Sequence, residues 1–345
     1  LIDFPTIPAT MRVPVFVGEG HIEFGEKPVP EPGAGQLLLR VAANALCGSE
    51  RPQYLGGSAV TPGHEAAGVV AAAGPNTRTP VGTPGVVFLM DYCGECRSCR
   101  LGHTNQCLAK RADYGFTHDG GYAPFELVNE NVFFPVDPDL PLTEATLLLD
   151  VMGTCSHAVE RARHLREDIE SLLVAGAGPV GLGMVAMARL LLGEGVRVLV
   201  TDVSPHRLDL AARLGALPVN VAEGSLAEGL GRHGLGAVDA AIDASGKGAA
   251  RQEALANLSQ RGVLVCVGHG EGLNLTVSSD LIAPERSVLG SEYFRYDELP
   301  GNLDLLRRHR AYLSQIITHR FPPEEIGSAF ELFFSGRSGK VVIEQ

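Results

Sequence analysis

From Ser171 to Ala188 the chain runs for eighteen residues, SLLVAGAGPVGLGMVAMA, without a charged side chain, and Gly176, Gly178, Gly181 and Gly183 punctuate it. A run of this length reads either as a membrane span or as a buried strand and helix joined by a tight turn. The glycine spacing selects the second reading. Gly176-x-Gly178-x-x-Gly181 follows the strand-like LLVA and opens a helical pattern, and Asp202 closes the next strand-like run, VRVLVTD, twenty-one residues past Gly181. Such glycines permit a tight turn, close approach of a pyrophosphate to the backbone, and close packing of helix on strand. The helix N-terminus adds N–H donors and partial positive charge. Asp202 can accept hydrogen bonds from both adenosine ribose hydroxyls and would repel a 2′-phosphate, which favours NAD over NADP. Arg207, five residues on, can stack on adenine or touch the ribose and leaves NADP open. A glycine-rich turn without a ligand is the alternative; the strand before, the helix after and the acid at this distance weigh against it.

At about 150 residues per domain, 345 residues make about two domains. The 28 Lys and Arg against 40 Asp and Glu leave a net charge of −12, which repels nucleic acid and anionic lipid, so neither is an expected partner. The stretch LIDFPTIPATMRVPVF lacks a basic start, an apolar core and a small-residue cleavage site, so the expectation is no signal peptide and a cytoplasmic location. From Arg12 to about Val136, short runs such as QLLLRVAA, GVVAAAG, VVFLMDY, YAPFELV and NVFFPV between Gly, Pro and Asn clusters predict a β-rich segment. From about Asp150, strands and helices alternate as βαβ units of a parallel sheet, including a helix around Glu253 to Leu258. Beyond Gly290 the pattern predicts a helix over NLDLLRRHRAYLSQ, a helix from Pro323 to Phe334 and a terminal strand KVVIEQ, a tail free to rejoin either domain.

Four of the seven cysteines fall at Cys93-x2-Cys96-x2-Cys99-x7-Cys107. Four thiolates so spaced can close a tetrahedral shell around one zinc, and because no coordination position stays open, that zinc is structural. An iron–sulfur cluster or a nucleic-acid-gripping zinc ribbon competes; the acidic charge opposes the ribbon. A further set is scattered: Cys47 in CGSE, His64 and Glu65 in PGHE, and Asp150 in LLDVMG. Each alone reads as a core residue, but a thiolate, an imidazole and a carboxylate with a fourth position open suit a catalytic zinc, with Glu50 acting on His64 from behind.

Together these residues closely resemble the zinc-dependent medium-chain dehydrogenases, the alcohol, polyol and threonine dehydrogenases, nearly from end to end. The family's C-G-[ST]-D stands here as Cys47-Gly48-Ser49-Glu50, its G-H-E as Gly63-His64-Glu65, its nucleotide loop as AGAGPVG with Pro179 and Val180 at the pyrophosphate, and its last strand as GRSGKVVIEQ. LLLDVMGTCSHAVE looks like the segment from which an acidic residue supplies the third zinc ligand in secondary-alcohol and polyol members, which points to Asp150, with Glu65 and then Cys155 as alternatives. The resemblance implies an α/β protein: a GroES-like β-rich catalytic domain over residues 1–150, with the structural zinc lobe at 93–107, a doubly wound Rossmann domain over 151–290, and a return segment, 291–345, completing the first. It implies two zinc ions per chain, NAD, and a homodimer or homotetramer. Zinc would acidify the alcohol, hydride would pass to the nicotinamide, and Ser49 would take the hydroxyl proton.

Two positions depart from the family. Pro52 stands where many relatives carry a histidine that extends the proton relay, and Glu50 replaces the commoner Asp. The expected activity is NAD-dependent oxidation of a secondary alcohol: a polyol, sugar, amino sugar or hydroxy amino acid. A primary-alcohol or aldehyde reductase using NAD(P)H and a non-catalytic nucleotide-binding zinc protein are the alternatives.

Overall fold

The computed structural model describes residues 6–345, so residues 1–5, which open the stretch read above for a signal peptide, lie outside the described residues. A hairpin of β1 (Thr10–Gly18) and β2 (His21–Pro28) comes first. There follow β3 (Gln36–Ala45), the short helix α1 (Arg51–Gly56), β4 (Ala66–Ala73), β5 (Pro84–Val87), β6 (Met90–Asp91), α2 (Arg97–Arg100), β7 (Ala112–Asp113), β8 (Phe125–Asn129) and β9 (Phe133–Pro135). α3 (Leu142–Ala145) and a wide π-helical turn over Leu149–Thr154 lead into α4 (Cys155–Leu165).

The apolar run LLLRVAANA of β3 has both faces covered. Leu37 and Leu39 belong to the main core, whereas Leu38 packs with Met11 and Val13 of the hairpin and with Phe125. The expected strand YAPFELV begins only at Phe125; Pro124 before it has no N–H to give to a ladder. VVFLMDY divides at Phe88 and Leu89 into β5 and β6.

The second unit alternates β10 (Ser171–Ala175), α5 (Pro179–Leu192), β11 (Arg197–Asp202), α6 (Pro205–Arg213), β12 (Leu217–Asn220), α7 (Leu226–Arg232), β13 (Val238–Asp243), α8 (Gly248–Ala256), β14 (Leu258–Cys266) and β15 (Ser287–Gly290). All six strands pair in parallel in the order β12-β11-β10-β13-β14-β15. Every residue of β10 is buried, Leu172 and Val174 in one core cluster and Leu173 in the other, the burial that helices on both faces of a parallel sheet demand. The strand order reverses between β10 and β13, and the crevice above that switch point is where such sheets take their ligands.

The helix expected around Glu253 to Leu258 lies earlier. GAARQEALA, rich in strong helix formers, makes α8, and Leu258 already opens β14. The tail forms α9 (Leu299–Leu313), β16 (Ile317–Phe321), α10 (Ile326–Phe334) and β17 (Lys340–Glu344). β17 pairs in parallel with β16 and antiparallel with β3, Val342 opposite Ala45, so the chain returns to the first, seven-stranded sheet.

Candidate active site

Cys47 follows β3 and caps the single turn Gly48–Glu50, whose Glu50 reaches back to accept from the Cys47 N–H at 3.2 Å. His64 sits just before β4, after a turn at Gly63 with φ +104°; a Cβ at Gly63 would stand 2.6 Å from the Tyr122 nitrogen. Asp150 lies in the π-helical turn, a wide local geometry frequent at functional sites. Three distant segments thus bring Cys47, His64, Glu65 and Asp150 together, all buried, with one ligand atom of each within 4.8 Å of the others.

The contacts inside the cluster are short. Cys47 Sγ lies 3.0 Å and His64 Nε2 3.4 Å from Asp150 Oδ2, and the exposed Ser49 hydroxyl is 3.4 Å from His64 Nε2. Behind the ring, His64 Nδ1 is 3.0 Å from Glu50 Oε1, and the Tyr122 hydroxyl donates to Glu50 Oε2 at 2.7 Å. With Nδ1–H donating to Glu50, a sulfur, an imidazole lone pair and a carboxylate oxygen all face one point, an arrangement that a cation relieves. The titration behaviour fits that crowding. Burial pushes the Cys47 thiol up, and the Asp150 charge adds to it. Burial alone would lift Asp150, but the hydrogen bond and charge of His64 outweigh it and hold the carboxyl below its usual range. For His64, burial acts downward, and the hydrogen bonds to Asp150, Cys47 and Glu50 win and raise it.

Glu65 has a separate counterion. Lys340 of β17, fully buried, donates from Nζ to Glu65 Oε1, while Glu65 Oε2 has no partner among the described residues. Burial works against the Lys340 charge, but Glu65, Cys47 and Asp150 keep the ammonium well above its ordinary pKa. Cys155 stands apart: its thiol donates to the Val180 carbonyl at 3.1 Å and to the Asp150 carbonyl at 3.5 Å, so it packs against α5.

In the lobe at 93–107, the ligand atoms of Cys93, Cys96, Cys99 and Cys107 also lie within 4.8 Å of one another, with the pairs Cys93–Cys99 and Cys96–Cys107 at 4.0 Å. Zn–S bonds of about 2.3 Å set tetrahedral sulfurs about 3.8 Å apart, so the lobe needs little contraction to close on zinc. Backbone N–H groups of Cys99 and Leu108 point at Cys96 Sγ and lower its pKa to about 6. The Cys93 thiol is lowered likewise, by the Glu95 and Cys96 amides, whereas burial pushes Cys99 up to about 12.

At the dinucleotide turn, Gly176 has φ +99°, and a Cβ on Gly181 would stand 1.9 Å from the Gly176 carbonyl oxygen. Gly178 caps α5, with Pro179 and Val180 in its first turn. Asp202 accepts from the Ala177 and Ser204 amides, each at 2.8 Å, which fixes its carboxylate beside the turn. Arg207 lies in the first turn of α6 and packs beside Gly336, its Nε without a partner among the described residues. The cluster of Cys47, His64, Glu65 and Asp150 adjoins this crevice: a Cβ on Gly183 of α5 would stand 2.4 Å from the Val151 carbonyl, next to Asp150. Sequence reasoning missed Lys340 and Tyr122. A lysine inside the apolar KVVIEQ strand was the available signal for the first; nothing local marked the second.

A thiol, imidazole and carboxylate converging beside a dinucleotide crevice define an oxidoreductase acting on alcohols. Residues 33–138 match the alcohol dehydrogenase GroES-like domain and residues 179–308 the zinc-binding dehydrogenase domain. The chain belongs to the zinc-dependent medium-chain dehydrogenase family. It is 33% identical over 344 residues to an L-threonine 3-dehydrogenase of Saccharopolyspora erythraea, covering 94% of this chain and 95% of that protein. With a zinc-type alcohol dehydrogenase-like protein of Escherichia coli K12 it shares 29% identity, over 97% of this chain and 98% of the other. Among solved structures, the alcohol dehydrogenase TADH of Thermus sp. ATN1 superposes with a TM-score of 0.87 at 26% identity, covering 97% of this chain and 99% of that one.

Proposed function

We propose that this enzyme oxidises a secondary alcohol, a polyol, sugar, amino sugar or hydroxy amino acid, with NAD as acceptor. Cys47, His64 and Asp150 would hold a catalytic zinc, and Cys93, Cys96, Cys99 and Cys107 a structural one. Glu65 is the alternative third ligand. Gly176, Gly178, Pro179, Val180, Gly181, Asp202 and Arg207 would bind NAD. The observation that carries the reading is the convergence of Cys47, His64, Glu65 and Asp150 ligand atoms within 4.8 Å of one another. The acidic ligand favours secondary alcohols, and the likeness to a threonine dehydrogenase agrees. Domain limits near residues 150 and 290, a cytoplasmic homodimer or homotetramer, and two zinc ions per chain belong to the same proposal.

Zinc at the cluster supplies Lewis acidity, and NAD supplies the hydride acceptor. The chain's own residues do the rest. Glu50 takes the Nδ1 proton of His64 into a hydrogen bond and so aims the Nε2 lone pair at the cluster. Tyr122 and the Cys47 amide hold Glu50 in turn. Ser49, exposed and 3.4 Å from His64 Nε2, is placed to receive the hydroxyl proton. Pro52 carries no proton, so onward transfer runs from Ser49 to the cofactor ribose or to solvent. In elemental analysis the protein is expected to hold two zinc ions per chain and Cys47→Ser one, with NADH formed from a panel of polyols and secondary alcohols by the parent only. A parent that forms no NADH, with a zinc content that Cys47→Ser does not change, would refute the reading.

A further inference from the structure

The loop after β7, residues 114–119, is fastened to the turn that carries His64. Gly115 has φ +83°, and a Cβ there would stand 2.6 Å from the Gly63 carbonyl oxygen. Gln53 of α1 donates to the Gly115 carbonyl at 2.8 Å, and the Gly115 amide donates to the His118 carbonyl at 2.9 Å. The Phe116 and Thr117 amides both donate to the Asp113 carbonyl, at 3.0 and 2.8 Å. A backbone tied in this way leaves Phe116 little room to move. Its ring centre lies 4.9 Å from that of His64, tilted by 38°, half-buried against the main core.

That position decides what the ring can touch. Nδ1 of His64 is engaged by Glu50, so the reacting side of the imidazole is Nε2, where the exposed Ser49 hydroxyl lies 3.4 Å away. An alcohol with its oxygen between Ser49 and Nε2 carries its carbinol carbon one bond further out, and a substituent on that carbon comes against the phenyl ring. The loop's nearest polar groups are turned to one another instead: the Thr117 hydroxyl accepts from the Asp113 amide at 2.8 Å, and His118 Nδ1 lies 3.0 Å from that hydroxyl. A phenyl ring offers no N–H or lone pair to a substrate hydroxyl, and burying a hydroxyl without a partner is unfavourable. A methyl group gives up no hydrogen bond there and gains dispersion contact. In an apolar pocket one added hydroxyl shifts selection by up to about a hundredfold.

We propose that Phe116 is a specificity-determining residue: the carbinol substituent resting on its ring is an alkyl group, and the enzyme oxidises methyl carbinols in preference to alcohols with a hydroxymethyl group in that place. This rests on the alcohol-oxidation reading and narrows it, ranking hydroxy amino acids and simple secondary alcohols that end in a methyl carbinol above polyols and sugars.

The test uses the zinc-loaded full chain with NAD and pairs that exchange methyl for hydroxymethyl beside the carbinol: 1,2-propanediol against glycerol, and 2,3-butanediol against threitol of matching configuration. NADH is followed by absorbance and the ketone product by NMR, so that oxidation at the secondary carbon alone is counted. In both pairs kcat/KM should favour the methyl member by tenfold or more. Phe116→Asn and Phe116→Ser place a hydrogen-bonding group at the wall and should each cut that ratio about tenfold, whereas Phe116→Leu, still apolar, should retain most of it. Both members are assayed on one preparation, so a loss of metal or cofactor cancels from the ratio, and a merely structural role would not move it. A parent ratio below tenfold, a ratio that the polar variants leave intact, or a Phe116→Leu ratio as low as that of Phe116→Asn overturns the proposal. With two polar variants, either one that folds gives the answer. Failure of the alcohol-oxidation reading looks different: neither member of either pair, nor any other alcohol, yields NADH.

Discussion

Replacing Lys340 by methionine keeps an unbranched apolar side chain, one atom shorter, and removes the ammonium that faces Glu65. Both residues are fully buried, and the second Glu65 oxygen already lacks a partner among the described residues, so no other contact is at hand to absorb the stranded carboxylate. Burial disfavours its charge, and Asp150 in the same cluster repels it further, with His64 opposing in part. Deleting one member of a buried ion pair costs about 3–5 kcal/mol. For a cooperative unit of roughly 200 residues, each kcal/mol lowers the melting temperature by about 2–4 °C. The variant should therefore melt about 6–20 °C lower in calorimetry of the metal-free protein, where no cation at the cluster can take over the Glu65 charge. Exchanging both residues for apolar ones, Lys340→Met with Glu65→Leu, removes the unpaired charge and should recover most of the loss. A single-variant shift under about 2 °C, or a double variant no more stable than the single, would show that the pair does not hold the site as argued.

Gly181→Ala drives a methyl group to 1.9 Å from the Gly176 oxygen, so the turn must open; NAD affinity by equilibrium dialysis should fall tenfold or more with zinc content unchanged. Glu50→Gln weakens the charged acceptor behind His64 and should lower affinity at the catalytic metal by about 10–100-fold, measured by competition with a chelator. At Asp239, burial pushes the carboxyl up, but hydrogen bonds from the Glu170 amide and the Ser171 hydroxyl, with the Arg166 charge, leave its folded pKa below the usual value. A group depressed in the folded state stabilises above its unfolded pKa of about 3.9 and loses that contribution as pH falls through the folded value. The stability gap between the parent and Asp239→Asn should therefore be full at pH 6 and close as the solution is acidified below about pH 4; a gap that widens toward acid would contradict the sign.

The glycine turn at residues 176–181 is legible in the sequence because each of its geometric requirements is local. Gly176 and Gly181 are demanded by a positive φ and a carbonyl contact within one turn, and Asp202 ends the adjacent strand. The cysteine lobe was legible for the same reason, since its four thiols lie within fifteen consecutive residues. Cys47, His64 and Asp150 are another matter. Asp150 is 103 residues from Cys47, and only the likeness to a known family joined them beforehand. The pairing of Glu65 with Lys340 and the support of Glu50 by Tyr122 follow from tertiary packing and left no periodic trace. Boundaries blur where two tendencies meet: the helical pattern around Glu253 runs on to Leu258, which the sheet claims for β14.

The pairing of β17 with β3 bears on how the enzyme is made. Lys340 leaves the ribosome 275 residues after Glu65, which at about 5–20 residues per second is a delay of roughly 14–55 s. Throughout that interval the nascent polypeptide holds Cys47, His64 and Glu65, joined by Asp150 after a further 85 residues, without the Lys340 ammonium, and β3 waits without β17. The Glu65–Lys340 pair is therefore completed only after translation has passed residues 171–290, so the buried Glu65 charge is matched late in biogenesis.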